Sequence, residues 1–202
     1  NTGGILIFDL PNLPQQGGHD IRVFDNDSVD NDTPNFAPEG NIVGSVPMGT
    51  GIMVMANRNV HIFGNRLSGN GTVHVIVAAY PNDYEDENYM FVPRGVYVHD
   101  NTYGEGGDAP DGEMGELIAE RTGTPVPDIV WDGVTRIPEW LTWVSAENRI
   151  YVKEEEGTTF ANAKMISHMI LPWETKADRD IANYEGSLPE PQPVKLPQDA
   201  EG

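Results

Sequence analysis

The sequence contains no cysteine, has only four lysines in 202 residues, and holds no apolar run long enough to cross a bilayer. Without cysteine there is no disulfide framework, no thiolate metal site and no thiol nucleophile. Positive charge is scarce: 12 basic residues face 32 acidic ones, for a formal net charge of −20. Such a surface repels phosphate backbones and anionic lipid, which argues against nucleic acid and membranes as partners. An anionic polysaccharide would need a local basic patch or bridging cations. The acids are spread along the whole chain, the pattern of a solvated surface. No basic, apolar leader opens the sequence. "NTGGILIFDL" starts directly in a strand-like pattern, which predicts a piece of a longer chain.

What is present is a repeat. "DIRVFDN" (20–26), "NVHIFGN" (59–65) and "GVYVHDN" (95–101) superpose without gaps. Alternation places Ile21, Val60, Val96 and Val23, Ile62, Val98 inward. Arg22, His61, Tyr97 and Phe24, Phe63, His99 then face outward. A second set interleaves with the first: "GILIF" (4–8), "GIMVM" (51–55) and "TVHVIV" (72–77). β-Branched residues at period two argue strands. Two strand columns separated by insertions at 27–48, 80–94 and 103–128 predict an all-β, right-handed parallel β-helix, a solenoid of stacked turns. Asn26, Asn65 and Asn101 would then lie above one another at a corner. There an asparagine tolerates left-handed backbone and its amide can bond to the next in line.

These motifs resemble the right-handed parallel β-helix repeat family of pectin-lyase-like architecture, over residues 3–104. "GILIFDLPNLP", "NFAPEGNIV", "GTGIMVMANRNVHIFGN", "PDIVWDG" and "SLPEPQPVKLP" are more specifically similar to exported bacterial proteins with such domains, described as lipoproteins of undefined function. The resemblance implies the fold and an extracellular, cell-surface or periplasmic location. It also implies further turns before this segment, so that a stacking partner could sit on the open N-terminal turn. It supplies no catalytic residues.

The division expected is 1–109 for the stacked turns, 110–171 for a helix-containing cap, and 172–202 for an extended Pro-rich tail. "PDGEMGELIAERTG" (110–123) has helix signals, with Met114, Leu117 and Ile118 on one face and Gly123 at the end. "DIVWDGV" and "RIYVKEE" read as one more, less regular turn. "GSLPEPQPVKLPQDAEG" has no core-forming period.

The outward columns hold the candidate chemistry. Arg22, His61, Tyr97 and His99 form the residue set expected of a polysaccharide lyase or epimerase: Arg to neutralise a uronate carboxylate, His or Tyr as base or acid. The same residues also read as an ordinary outer sheet face with Phe24 and Phe63 stacking. An open groove favours the enzyme; cover by 27–48 or 80–94 removes it. His74, placed beside Leu6 and Met53, reads as packed or solvated and not as catalytic. Tyr80, Tyr84 and Tyr89 on the 80–94 insertion are candidates for sugar contact. Asp83, Glu85 and Asp86, like the acids of "DNDSVDND", could supply oxygens to Ca2+, although neither loop has the spacing of a known calcium motif. No other cofactor is indicated. The function expected is a non-catalytic module binding a polysaccharide or a protein chain through its insertions. The alternatives are a uronate lyase or epimerase, or a structural subunit of a larger assembly.

Overall fold

The computed structural model describes residues 1–38, 40–80, 85–135, 145–170 and 175–193. Among the described residues there are twelve strands: β1 (Gly3–Ile7), β2 (His19–Phe24), β3 (Asp27–Val29), β4 (Thr50–Val54), β5 (Arg58–Phe63) and β6 (Arg66–Ser68), then β7 (Val73–Val77), β8 (Arg94–His99), β9 (Thr102–Tyr103), β10 (Ile129–Trp131), β11 (Ile150–Lys153) and β12 (Phe160–Asn162). They form three sheets, ordered β1-β4-β7-β10-β12, β11-β8-β5-β2 and β3-β6-β9. All named strand pairs are parallel.

The expected single right-handed β-helix solenoid of two strand columns is therefore corrected. Three parallel sheets of five, four and three strands, with two helices, make a parallel α/β-like arrangement. The missing column was the third sheet. Its strands, "DSV", "RLS" and "TY", are two or three residues long, too short to show a period, and they fell among insertion and corner residues. Strands β10 to β12 extend the first two sheets through residue 162.

The alternation between core and outer face was read correctly in the second sheet. Ile21, Val60 and Val96 are in register, as are Val23, Ile62 and Val98. Val60, Ile62, Val96 and Val98 are wholly buried, in one cluster with Ile52, Val75, Ile129 and Phe160 of the first sheet. Burying each such side chain contributes about 1.5–3 kcal/mol.

The first sheet is covered on its other face too. There Met53, Ile76 and Val130 meet α1 (Gly112–Thr122), which packs through Gly115, Ile118 and Thr122 with Met114 and Ala119 beside them. Leu117, expected on that face, is instead exposed. Gly115 lets the helix lie close to Thr72, since a Cβ there would come within 3.2 Å of Thr72 Cγ2. Arg121 anchors the helix to the carbonyls of Ala163 and Thr175. A second short helix, α2, spans Met165–Ile170.

The corner asparagines form a continuous ladder. Asn26 Nδ2 donates to Asn65 Oδ1 at 2.9 Å, and Asn65 Nδ2 donates to Asn101 Oδ1 at 2.9 Å. The left-handed residues are their predecessors, Asp25, Gly64 and Asp100, at φ of 54, 63 and 53°. So the acid or glycine makes the bend, and the asparagine behind it supplies the hydrogen bonds.

Candidate functional site

With the first sheet covered by α1, the outer face of the β11-β8-β5-β2 sheet is where strand register brings together the side chains singled out in the sequence. Strand register builds it in columns. One column holds Arg22, His61, Tyr97 and Tyr151; the next holds Phe24, Phe63, His99 and Lys153.

The second of these is a stack of rings. Phe24 and Phe63 lie 5.2 Å apart and 7° from parallel, and Phe63 and His99 lie 5.0 Å apart and 10° from parallel. In-register positions on neighbouring strands sit about 4.8 Å apart, so the sheet itself sets this spacing. The outermost ring, Phe24, is 49% exposed. Lys153 closes the column as an exposed cation.

The first column is covered. The segment 186–193 runs across it, crossing the strands. A Cβ on Gly186 would collide with the Tyr151 ring. Pro189 passes His61, and Arg22 donates to the Pro191 carbonyl and pairs with Glu190 at 3.7 Å. His61 and Tyr97 are only 2% and 7% exposed. Loss of water holds His61 below the ordinary histidine value, and the charges of His99 and Arg22 push the same way. The Pro189 carbonyl and Glu190 oppose this shift, yet Nε2 itself makes no hydrogen bond. Tyr97 is pushed up, first by burial.

The four residues singled out for catalysis, Arg22, His61, Tyr97 and His99, thus do stand together. Tyr97 and His99 stack at 4.0 Å, and His61 meets both edge-on. The cover comes from the tail and not from 27–48 or 80–94. A lyase or epimerase acting here would need that tail lifted.

Of the two expectations for His74, packed or solvated, the structure shows the first: it is buried, in the register of Gly51 and not of Met53. Its Nδ1 accepts from Asn70 Nδ2, so Nε2 carries the proton and donates to the Gly104 carbonyl at 3.2 Å. Burial lowers its pKa. Asn70 in turn accepts from Asn31, a second buried amide ladder.

The insertion residues serve the fold. Tyr80 packs beside the α1 cluster, and Tyr89 donates its hydroxyl to the Asp9 carbonyl. Asp86 accepts from the Asn12 backbone and from Gln16 Nε2, tying down the 9–17 loop, and these bonds hold its carboxyl low. Glu85 is exposed. Tyr84 and Asp83 lie outside the described residues. Among the described residues no group of three or more histidines or acids could hold a metal ion.

No family model, curated protein or solved structure matches this chain. Nothing in those comparisons identifies a pectin-lyase-like family. Among the described residues no helix is long and apolar enough to cross a membrane.

Three participants were missed. Tyr151 extends the first column, and its signal was the match of "RIYVK" to "RGVYVH". Glu154 caps the asparagine ladder, and nothing in its own residue type announced that. The tail has no core-forming period, yet the spacing of its prolines carries a signal.

Proposed function

We propose that the chain is a non-catalytic binding module that takes an extended polysaccharide along the outer face of the four-stranded sheet. One observation carries this reading: Phe24, Phe63 and His99 stack nearly parallel at strand spacing, which leaves the outer face of Phe24, on the edge strand, as the ring surface open to solvent. Aromatic faces offer flat apolar area on which the C–H face of a sugar ring can rest. The column ends in Lys153, which supplies the local cation that a uronate polymer would require in so acidic a protein. The binding surface is thus moved from the insertions to the sheet.

Retention on insoluble polysaccharides tests this, using one neutral series and one uronate series. The wild-type chain is expected to be depleted from solution by at least one polymer. Phe24→Ala should weaken that retention at least tenfold, about 1.4 kcal/mol. Retention unchanged by Phe24→Ala, or no retention by any polymer, overturns the reading.

A structural role is favoured by a different observation. β1, β2 and β3 are edge strands of the three sheets, and Ile5 and Ile21 at that end are only partly buried. Such edges can pair with a strand from another chain. Association through that end, without polysaccharide retention, would favour it.

A further inference from the structure

The Arg22–His61–Tyr97–Tyr151 column carries a second inference, independent of the ring stack beside it. The segment "SLPEPQP" (187–193) alternates proline with residues that precede proline. Proline fixes its own φ, and the residue before it is driven to extended backbone, so Leu188–Pro193 is held close to polyproline II. That helix has three residues per turn, which puts Leu188 and Pro191 on one side. Pro191 is the buried residue of the stretch and Leu188 is half-buried, while Pro189, Glu190 and Gln192 are exposed.

The length fits as well. From Gly186 over Tyr151 to Pro191 over Arg22 the tail advances five residues and crosses from β11 to β2. Five residues of polyproline II span about 16 Å, and three strand spacings span about 14 Å. Grooves lined by aromatic rings are a common seat for such helices.

The tail fills this seat poorly. Beside it, where β5 and β8 begin, is an open cavity of about 630 Å³, lined by Asp20, Arg58, Arg94 and Glu147 from the sheet side and by Leu188 and Glu190 from the tail. His61 Nε2, almost wholly buried beneath the tail, has no hydrogen-bond partner.

We propose that this face is a recognition seat for an extended, acidic, proline-containing peptide of a partner protein, and that the tail is its placeholder in cis. The partner segment follows the pattern Leu-Pro-acidic-Pro. Its fourth residue takes the place of Pro191, and its acidic side chain reaches Arg22. A second copy of this chain is the poorer donor, since each copy carries −20.

The test uses the full chain with Pro191→Arg, which unseats the tail, and a labelled peptide of residues 185–193 read by fluorescence anisotropy. The wild-type chain competes with its own tail at an effective concentration near millimolar. The variant should therefore bind the peptide at least tenfold more tightly than wild type. Adding Arg22→Ala should cost that gain, and a peptide with serine for Leu188 and Pro191 should not bind. Faster proteolysis of the tail reports release, with Leu188→Asp as a second way of achieving it. A freed tail without peptide uptake, equal binding of both peptides, or a tail that neither variant frees overturns the proposal. So do concentration-dependent dimers of wild type with no peptide uptake, which would give the seat to a second copy.

Discussion

Asn101 donates both its backbone and its side-chain N–H to Glu154, each at 2.8 Å. Lys153 pairs with His99, so Glu154 stands one register position before a fourth corner asparagine. Its longer side chain makes up the difference and ends the Asn26–Asn65–Asn101 ladder with an acceptor. The same carboxyl takes the Tyr103 hydroxyl at 2.8 Å. Burial pushes Glu154 up, against the pull of these bonds, and pushes Tyr103 up strongly.

Cutting the ladder should therefore be costly at either place. Asn65→Ala removes the donor to the Val23 and Phe63 carbonyls and takes away the Oδ1 that accepts from the Asn26 backbone and side-chain N–H groups. Glu154→Ala orphans the Asn101 amide and the Tyr103 hydroxyl. Each is expected to lower stability by about 1–3 kcal/mol, measured as a shift of the urea midpoint at constant slope. A change within experimental error for both would show that the ladder contributes nothing.

Asp132 gives a prediction with a defined pH window. Its carboxyl accepts from the Ala79 and Val134 backbone N–H groups, and burial pushes it up to about 7. Between the ordinary carboxylate value near 3.8 and about 7 the folded state holds a proton that the unfolded state has lost. This group's contribution therefore favours folding increasingly as pH falls through that window. Asp132→Asn removes the term. The gain in urea midpoint on going from pH 8 to pH 5 should be smaller in the variant than in wild type, and an unchanged gain would contradict the assignment.

His61 works in the opposite direction. Its folded value is lowered below 6.5, so as pH drops past 6.5 the unfolded state takes up a proton that the folded state refuses, and stability is lost. His61→Phe keeps a ring on this covered face and cannot be protonated. Relative to wild type, its stability should improve as pH falls from 7 to 5. A wild-type-minus-variant difference that does not vary with pH would mean that His61 titrates normally.

How much of this was legible in the sequence depends on strand length. Five- and six-residue strands with β-branched inward positions announced themselves, and the register of Arg22, His61 and Tyr97 followed from aligned motifs. The third sheet did not, because two or three residues cannot show a period of two. α1 was visible from Pro110 to Gly123, yet which side packs was misjudged at Leu117, since Gly115 leaves room where the helix touches Thr72. The candidate column was legible, but its cover was not. Alternation says which side of a strand faces out; it does not say which distant segment lies on it. The tail's hold on Arg22 spans 169 residues of sequence. The acidic loop was ambiguous for another reason: in a chain with 32 acids, Asp86 looks like a metal ligand until its partners, Asn12 and Gln16, are seen.

The most direct test of the binding-module reading is affinity electrophoresis through gels containing a soluble polysaccharide that retains the wild-type chain, comparing it with Phe24→Ala and with Phe24→Ala/Phe63→Ala. Both substitutions lie on the outer face and should leave mobility in polymer-free gels unchanged. Retardation is predicted to fall about tenfold with the first and to disappear with the second. Equal retardation of all three proteins would contradict the assignment of the ring column as the binding surface.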